Sequence, residues 1–181
     1  MPADPKPDPV LRFVAVLWRE PEVLKLAIDR MQQLWGQILL HGPDRPFDLT
    51  NYYEAEMGSP ISRRMIGFCD LASPIDLPAD KRRAIVIEDE FRHFGSRRVN
   101  LDVGYLDHNK IVLASVKSAG QKIYLGQGVY ADLVARYAHG RYQPFEWTFP
   151  DFKDGRYDAE LKELRRHYLQ VLRLTRDTDS V

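Results

Sequence analysis

Leu11–Trp18 reads LRFVAVLW, an almost unbroken apolar run, the pattern of a strand covered on both faces. The period then changes. After Glu20-Pro21, Leu24, Ile28, Met31 and Trp35 recur at helical spacing, Ala27 and Leu34 widen the stripe, and Gly36 supplies a stop. Proline in the first turn costs this helix nothing, because its missing N–H has no partner there anyway. Gln37–His41 reads as a short strand and Arg63–Leu71 as a longer one. Residues 42–60, GPDRPFDLTNYYEAEMGSP, mix turn formers with aromatics and carboxylates, and predict no regular element. Pro78 opens a second helix that runs to about Phe94 and stops at Gly95. Its middle, AIVIEDEF, is β-branched enough to argue for a strand. Length, proline start and glycine stop decide for the helix.

From Arg98 the period falls to two. RVNLDVGYLDHNKIVLASVKSAGQKIYLGQGVYADLVARY contains four alternating runs separated by polar or glycine turns. A loop at Asp107–Lys110 sets Asp102 opposite Ser115 and Asn100 opposite Lys117. A loop at Ser118–Gln121 sets Ser115 opposite Tyr124 and Lys117 beside Lys122. A turn at Gly126-Gln127-Gly128 sets Tyr124 opposite Tyr130 and Lys122 opposite Asp132. These loop lengths gather Arg98, Asn100, Asp102, Ser115, Lys117, Lys122, Tyr124, Tyr130, Asp132 and Arg136 on one face of the sheet. Val99, Leu101, Val103, Val112, Ala114, Val129 and their neighbours take the other face. A slip of one residue in any hairpin would turn that strand over. After an irregular stretch rich in aromatics and proline, Asp158 caps a last helix with Leu161, Leu164, Tyr168 and Leu172 as its apolar stripe.

The order strand, helix, strand, strand, helix, strand predicts an α+β domain. Its core is a ferredoxin-like β-α-β-β-α-β unit, extended by antiparallel hairpins and a C-terminal helix. An α+β sandwich with another strand order is the alternative. Residues 11–176 form the single domain, 1–10 a proline-rich lead-in and 177–181 a tail.

Composition narrows the function. Charged residues make up 29% and balance at 26 basic and 26 acidic. A neutral chain has no general attraction for nucleic acid or anionic membrane, so such binding needs a local patch. The lone cysteine, Cys69, excludes an intrachain disulfide and any multi-cysteine zinc site. No apolar run approaches the ~20 residues that cross a bilayer, and the N-terminus has no apolar signal core. The expectation is a cytoplasmic protein without membrane contact.

The polar face of the second half is the candidate site. Its plain reading is the solvated side of an antiparallel sheet. Its functional reading is a cleft in which Arg98, Lys117 and Lys122 neutralise a phosphate or carboxylate. Tyr124 and Tyr130 then stack on a ring, and Asn100, Ser115 and Asp132 bind polar groups. Asp102 and Glu54 are the candidate bases. Glu54, Glu56 and Asp48 are more simply solvated than metal-binding, and the five histidines show no ligand spacing, so no metal site is assigned. Arg63-Arg64, Lys81-Arg82-Arg83 and Arg97-Arg98 are basic clusters that solvated element ends explain. No G-x-S-x-G elbow occurs, and Gly126-Gln127-Gly128 is a hairpin turn rather than a dinucleotide fingerprint. The expected partner is a small anionic or nucleotide-like ligand. The rival is a non-catalytic protein- or nucleic-acid-binding module that uses the same face.

FDLTNYYEAEMG, then RRVNLDVGYLDHNKIVLASVKSAGQKIYLGQGVYADLVARYAHG, then WTFPDF, in that order, resemble the bacterial domain-of-unknown-function family 4416. The resemblance runs from Phe13 to about Phe152. The motif residues fall on Tyr52, Tyr53, Glu54, Glu56, Asn100, Asp102, Gly104, Tyr105, Lys117 and Tyr124. Val103 stands where the family pattern has proline. The resemblance implies a site and names no reaction. Some members are called GTP-binding proteins, yet this chain lacks the G-x-x-x-x-G-K-[ST] loop that cradles phosphates in an ordinary GTPase.

Overall fold

A nine-stranded antiparallel sheet carries the whole fold. The computed structural model describes residues 6–178. Along the chain it contains β1 (Val10–Trp18), α1 (Pro21–Trp35), β2 (Ile38–His41), β3 (Arg45–Pro46), α2 (Glu54–Met57) and β4 (Ser62–Ala72). A 3₁₀ turn at Pro74–Asp76 leads into α3 (Leu77–Glu90). Then come β5 (Val99–Leu106), β6 (Lys110–Ser115), β7 (Ile123–Gly126), β8 (Val129–Ala138), β9 (Arg141–Pro144), α4 (Pro150–Lys153) and α5 (Asp158–Thr178). Of the terminal segments assigned from the sequence, residues 1–5 and 179–181 lie outside the described residues. No helix among the described residues is long and apolar enough to cross a membrane.

The strands lie in the order β2-β4-β1-β5-β6-β8-β7, with β3 beside β4 and β9 beside β8. The unbroken apolar run of β1 is explained by its place between β4 and β5, with both faces covered. On one face Val14, Val16, Leu101, Val103 and Val112 pack against Leu24, Ala27 and Met31 of α1 and Ala84 and Ile87 of α3. On the other, Leu11, Phe13, Ala15, Ile111 and Leu113 pack against Leu161, Leu164, Tyr168 and Leu172 of α5. Gly67 admits α5 to close range, since a Cβ there would meet Leu164 Cδ2 at 2.1 Å. Further along this second face, Phe47, Met57 and Ile61 close over Leu17. The predicted polar face is thus covered twice, by α5 at one end and by the segment around Phe47–Ile61 at the other. A cleft remains open beside the Phe47–Ile61 segment.

The hairpin order differs from the one the loop lengths suggested. β6 pairs with β8, not β7: Ser115 lies opposite Tyr130 and Leu113 opposite Asp132. The reason is burial. β8 carries Val129 and Val134 at 0–1% exposure and belongs inside the sheet, whereas β7 is short, with Ile123 68% exposed, and suits the edge. The β7–β8 register is the expected one, with Tyr124 opposite Tyr130.

The β5–β6 ladder stops early. It joins Leu106–Ile111, Tyr105–Val112 and Gly104–Leu113; the same register would continue to Asp102–Ser115, but beyond Gly104 the strands part. Gly104 marks the branch, for a Cβ there would stand 2.3 Å from the Val112 carbonyl oxygen. The parted strand leaves main-chain groups of Leu101 that β6 does not pair, and two side chains of α3 take them. Glu88 Oε1 accepts from Leu101 N–H at 2.6 Å, and Lys81 Nζ donates to the Leu101 carbonyl at 2.9 Å. Buried backbone groups need such partners, so α3 holds the fork open from behind.

Candidate functional site: a cleft in the fork of the sheet

The fork opens into a cavity of about 550 Å³, within the range of small-molecule sites. β5 contributes Asn100 and Asp102. Ser115, Lys117, Lys122 and Asp132 come from β6, β8 and the connection between β6 and β7. Lys81 reaches in from α3, Arg63 from β4, and Phe47, Leu49, Tyr52, Tyr53 and Phe149 supply apolar surface.

Arg63 is 3% exposed and organises the base of the cleft. Its Nη2 donates to Asp102 Oδ2 at 2.8 Å and its Nη1 to Asp151 Oδ2 at 2.5 Å. The guanidinium also lies 4.7 Å from the Phe47 ring centre, a cation–π contact. Burial pulls the Arg63 pKa down, but the Asp102 and Asp151 carboxylates outweigh it and the net shift is upward. Tyr157 donates to Asp151 at 2.9 Å, while Arg63 Nε is buried without a partner among the described residues.

Arg97 sets the other anchor. It grips Glu56 with two bonds of 2.7 and 2.8 Å and donates from Nη1 to Asn100 Oδ1 at 2.7 Å. The hydrogen bonds from Arg97 hold the Glu56 carboxyl below its ordinary value, and the same bonds raise Arg97. With Oδ1 of Asn100 committed to a cation, Nδ2 is fixed as the free end of the amide. Nδ2 is buried and has no partner among the described residues.

On the opposite wall, Lys122 Nζ donates to Ser115 Oγ at 2.9 Å and lies 3.5 Å from Asp132 Oδ2. The other carboxylate oxygen of Asp132, Oδ1, is buried without a partner among the described residues. Lys117 Nζ contacts the Tyr52 hydroxyl and sits 4.3 Å from its ring centre; the hydrogen bond from Lys117 lowers the Tyr52 pKa. Burial pushes the neighbouring Tyr53 hydroxyl up.

Five cationic and two acidic side chains line the cleft. Arg63, Arg97 and Lys122 are offset by carboxylates, whereas Lys81 and Lys117 form no ion pair with a described carboxylate. Glu88 is near enough to act on Lys81, but burial raises its pKa and weakens the offset. The cleft therefore keeps two ammonium groups for an anion, one amide donor and one carboxylate acceptor. Among the described residues no three His, Cys, Asp or Glu side chains converge as metal ligands.

Six of the ten residues singled out from the sequence line this cleft: Asn100, Asp102, Ser115, Lys117, Lys122 and Asp132. The other four do not. Arg98 is held by Glu20 (Nε to Oε1, 2.9 Å) at the start of α1. Tyr124 and Tyr130 face each other across β7 and β8, ring centres 5.2 Å apart and planes inclined at 56°, and Glu54 is exposed on α2. Sequence reasoning missed Arg63, Lys81 and Arg97, taken there for solvated element ends. Strand parity held a signal for Arg63, which alternates with the buried Met65 and so faces inward.

No curated protein and no solved structure matches the chain. The model of one family, described as Domain of unknown function (DUF4416), matches residues 8–168, and the chain belongs to that family.

Proposed function

We propose that the protein binds a small anionic, nucleotide-like ligand in the fork between β5 and β6. The observation that carries this reading is two buried polar atoms on opposite walls, Asn100 Nδ2 and Asp132 Oδ1, without a partner among the described residues. Leaving such an atom unsatisfied costs about 1–3 kcal/mol, and a bound ligand recovers that cost. The backbones of β5 and β8 lie two strand spacings, about 10 Å, apart where the sheet is paired. An elongated molecule fits between their side chains, with an acceptor at Asn100, a hydroxyl or amine at Asp132 and its anionic group at Lys81 and Lys117. Phe47 and Phe149 offer surface for a ring. Asp102 is the carboxylate positioned to act as a base on such a ligand; Glu54 lies outside the cleft. The scaffold is read as a ferredoxin-like unit with added hairpins, supported by the strand succession β2-β4-β1-β5 with α1 and α3 on one face.

A thermal-shift panel of nucleoside monophosphates, sugar phosphates and inorganic phosphate tests the reading. At a hundredfold excess over Kd a ligand stabilises by about 2.7 kcal/mol, which for a chain of this size raises Tm by about 5–10 °C. Lys117→Ala and Asn100→Asp should cut the rise to about half or less. A panel that never shifts Tm, or shifts it equally in both variants, contradicts the proposal.

A further inference from the structure

The outer side of α5 carries a second feature. Lys162, Arg166 and Arg173 recur at i, i+4 and i+11, on the side away from the buried stripe of Leu161, Leu164, Tyr168 and Leu172. At 1.5 Å per residue they form a line about 16 Å long. With Tyr137 of β8 they border a groove of about 780 Å³. A smaller hollow of about 190 Å³ shares Tyr137 and Lys162 and extends the groove toward the β8–β9 turn.

The charges here differ from those elsewhere. The basic clusters that stood out in the sequence are used inside the protein. Arg63 and Lys81 are buried, Arg64 pairs with Asp44, and Arg83 with Asp80. Arg97 and Arg98 pair with Glu56 and Glu20, and Arg82 donates to the Gln127 carbonyl. Lys162, Arg166 and Arg173 are exposed and form no ion pair with a described carboxylate. Four cations line the groove, counting Arg165, against one acid, Glu163. In a chain of zero net charge, this is a local patch of the kind that polyanion binding requires.

A second observation bears on the class of polyanion. The Arg165 guanidinium lies over the Tyr137 ring, 3.5 Å from its centre; its Nη2 donates to the His108 carbonyl at 3.3 Å, and its Nε is buried without a partner among the described residues. A guanidinium plane backed by a tyrosine is a platform on which an unstacked base can lie. An acidic peptide supplies charge but no planar face for it. We propose that this groove binds single-stranded nucleic acid, with the line of Lys162, Arg166 and Arg173 along the phosphates and Arg165–Tyr137 against a base. The groove shares no lining residue with the cleft.

The test is fluorescence anisotropy with labelled mixed-sequence 12-nucleotide RNA and DNA, titrated at several salt concentrations. Three to four neutralised phosphates predict a slope of log K against log salt of about −2 to −3. Reversal of the charges in K162E/R166E/R173E should weaken binding at least tenfold. Tm should hold, since the three side chains are exposed, and that separates lost binding from lost folding. Absence of salt-dependent binding, or full binding by the triple variant, overturns the proposal. Equal affinity for a twelve-residue polyglutamate overturns the assignment to nucleic acid and leaves an acidic peptide in its place.

Discussion

Arg97 Nη1 donates to Asn100 Oδ1 at 2.7 Å, and this one bond decides which end of the Asn100 amide faces the cleft. Asn100→Asp keeps the shape and the contact with Arg97 but replaces the free donor with an anionic oxygen. A hydrogen bond to a charged group is worth about 1.5–3 kcal/mol. The variant should therefore bind an anionic ligand at least about tenfold more weakly by isothermal titration while its urea midpoint changes little. Equal affinity would remove Asn100 from the site.

Arg63 makes a separate demand on stability. Its removal strands Asp151, which is 2% exposed and whose remaining hydrogen-bond donor is Tyr157. Breaking a buried pair from one side costs about 3–5 kcal/mol. Arg63→Met should show that loss in urea denaturation, and Arg63→Met with Asp151→Asn should recover part of it. A loss below about 1 kcal/mol would mean that the pair does not anchor the cleft.

Gly104 tests the branch point. Because a Cβ would meet the backbone of β6, Gly104→Ala has to push the strand away, at about 1–3 kcal/mol. Gly120, with no heavy atom within 4 Å of a built Cβ, is the control; Gly120→Ala should stay within about 0.5 kcal/mol. Equal effects at the two positions would contradict the close approach at the fork.

Two glutamates that support the fork respond to pH in opposite senses. Burial raises Glu88 above its ordinary 4.5. Its contribution is full below that value and is lost as pH rises through the folded pKa. Glu88→Gln, which keeps an acceptor for Leu101 N–H, should improve relative to wild type between pH 4 and 7. Hydrogen bonding to Arg97 lowers Glu56, so its contribution is present above 4.5 and lost as pH falls through the folded value. Glu56→Gln should be destabilising at pH 7 and nearly neutral at pH 3. Urea midpoints across that range check both signs.

The elements set by hydrophobic period were readable in the chain: β1 from its apolar run, and α1 and α5 from their stripes with proline, glycine and aspartate boundaries. α3 ends earlier than its glycine stop implied, at Glu90, because residues 93–96 close a tight turn of their own. What escaped was long-range. The sequence shows which residues alternate, but nothing in Ser115–Tyr124 reveals that β8 inserts between β6 and β7. The fork has no periodic signature, because the pattern of Val99–Val103 is the same whether β6 is paired or parted. Arg63 and Lys81 looked like solvated ends because their partners lie 88 positions away at Asp151 and 20 away at the Leu101 carbonyl. Parity put Asn100, Asp102, Ser115 and Asp132 on one face. Only the covering by Phe47, Leu49, Tyr52, Tyr53 and Phe149 makes that face a cleft.

The most direct measurement follows the Asn100 side-chain NH₂ by ¹⁵N NMR during titration with nucleoside monophosphates, ribose 5-phosphate and inorganic phosphate. At least one of these should shift the Asn100 Nδ2 resonances in a saturable manner, with the backbone amides of Ser115 and Lys117 following the same isotherm. Asn100 resonances that stay fixed while every probe is added to millimolar excess would contradict the proposed site.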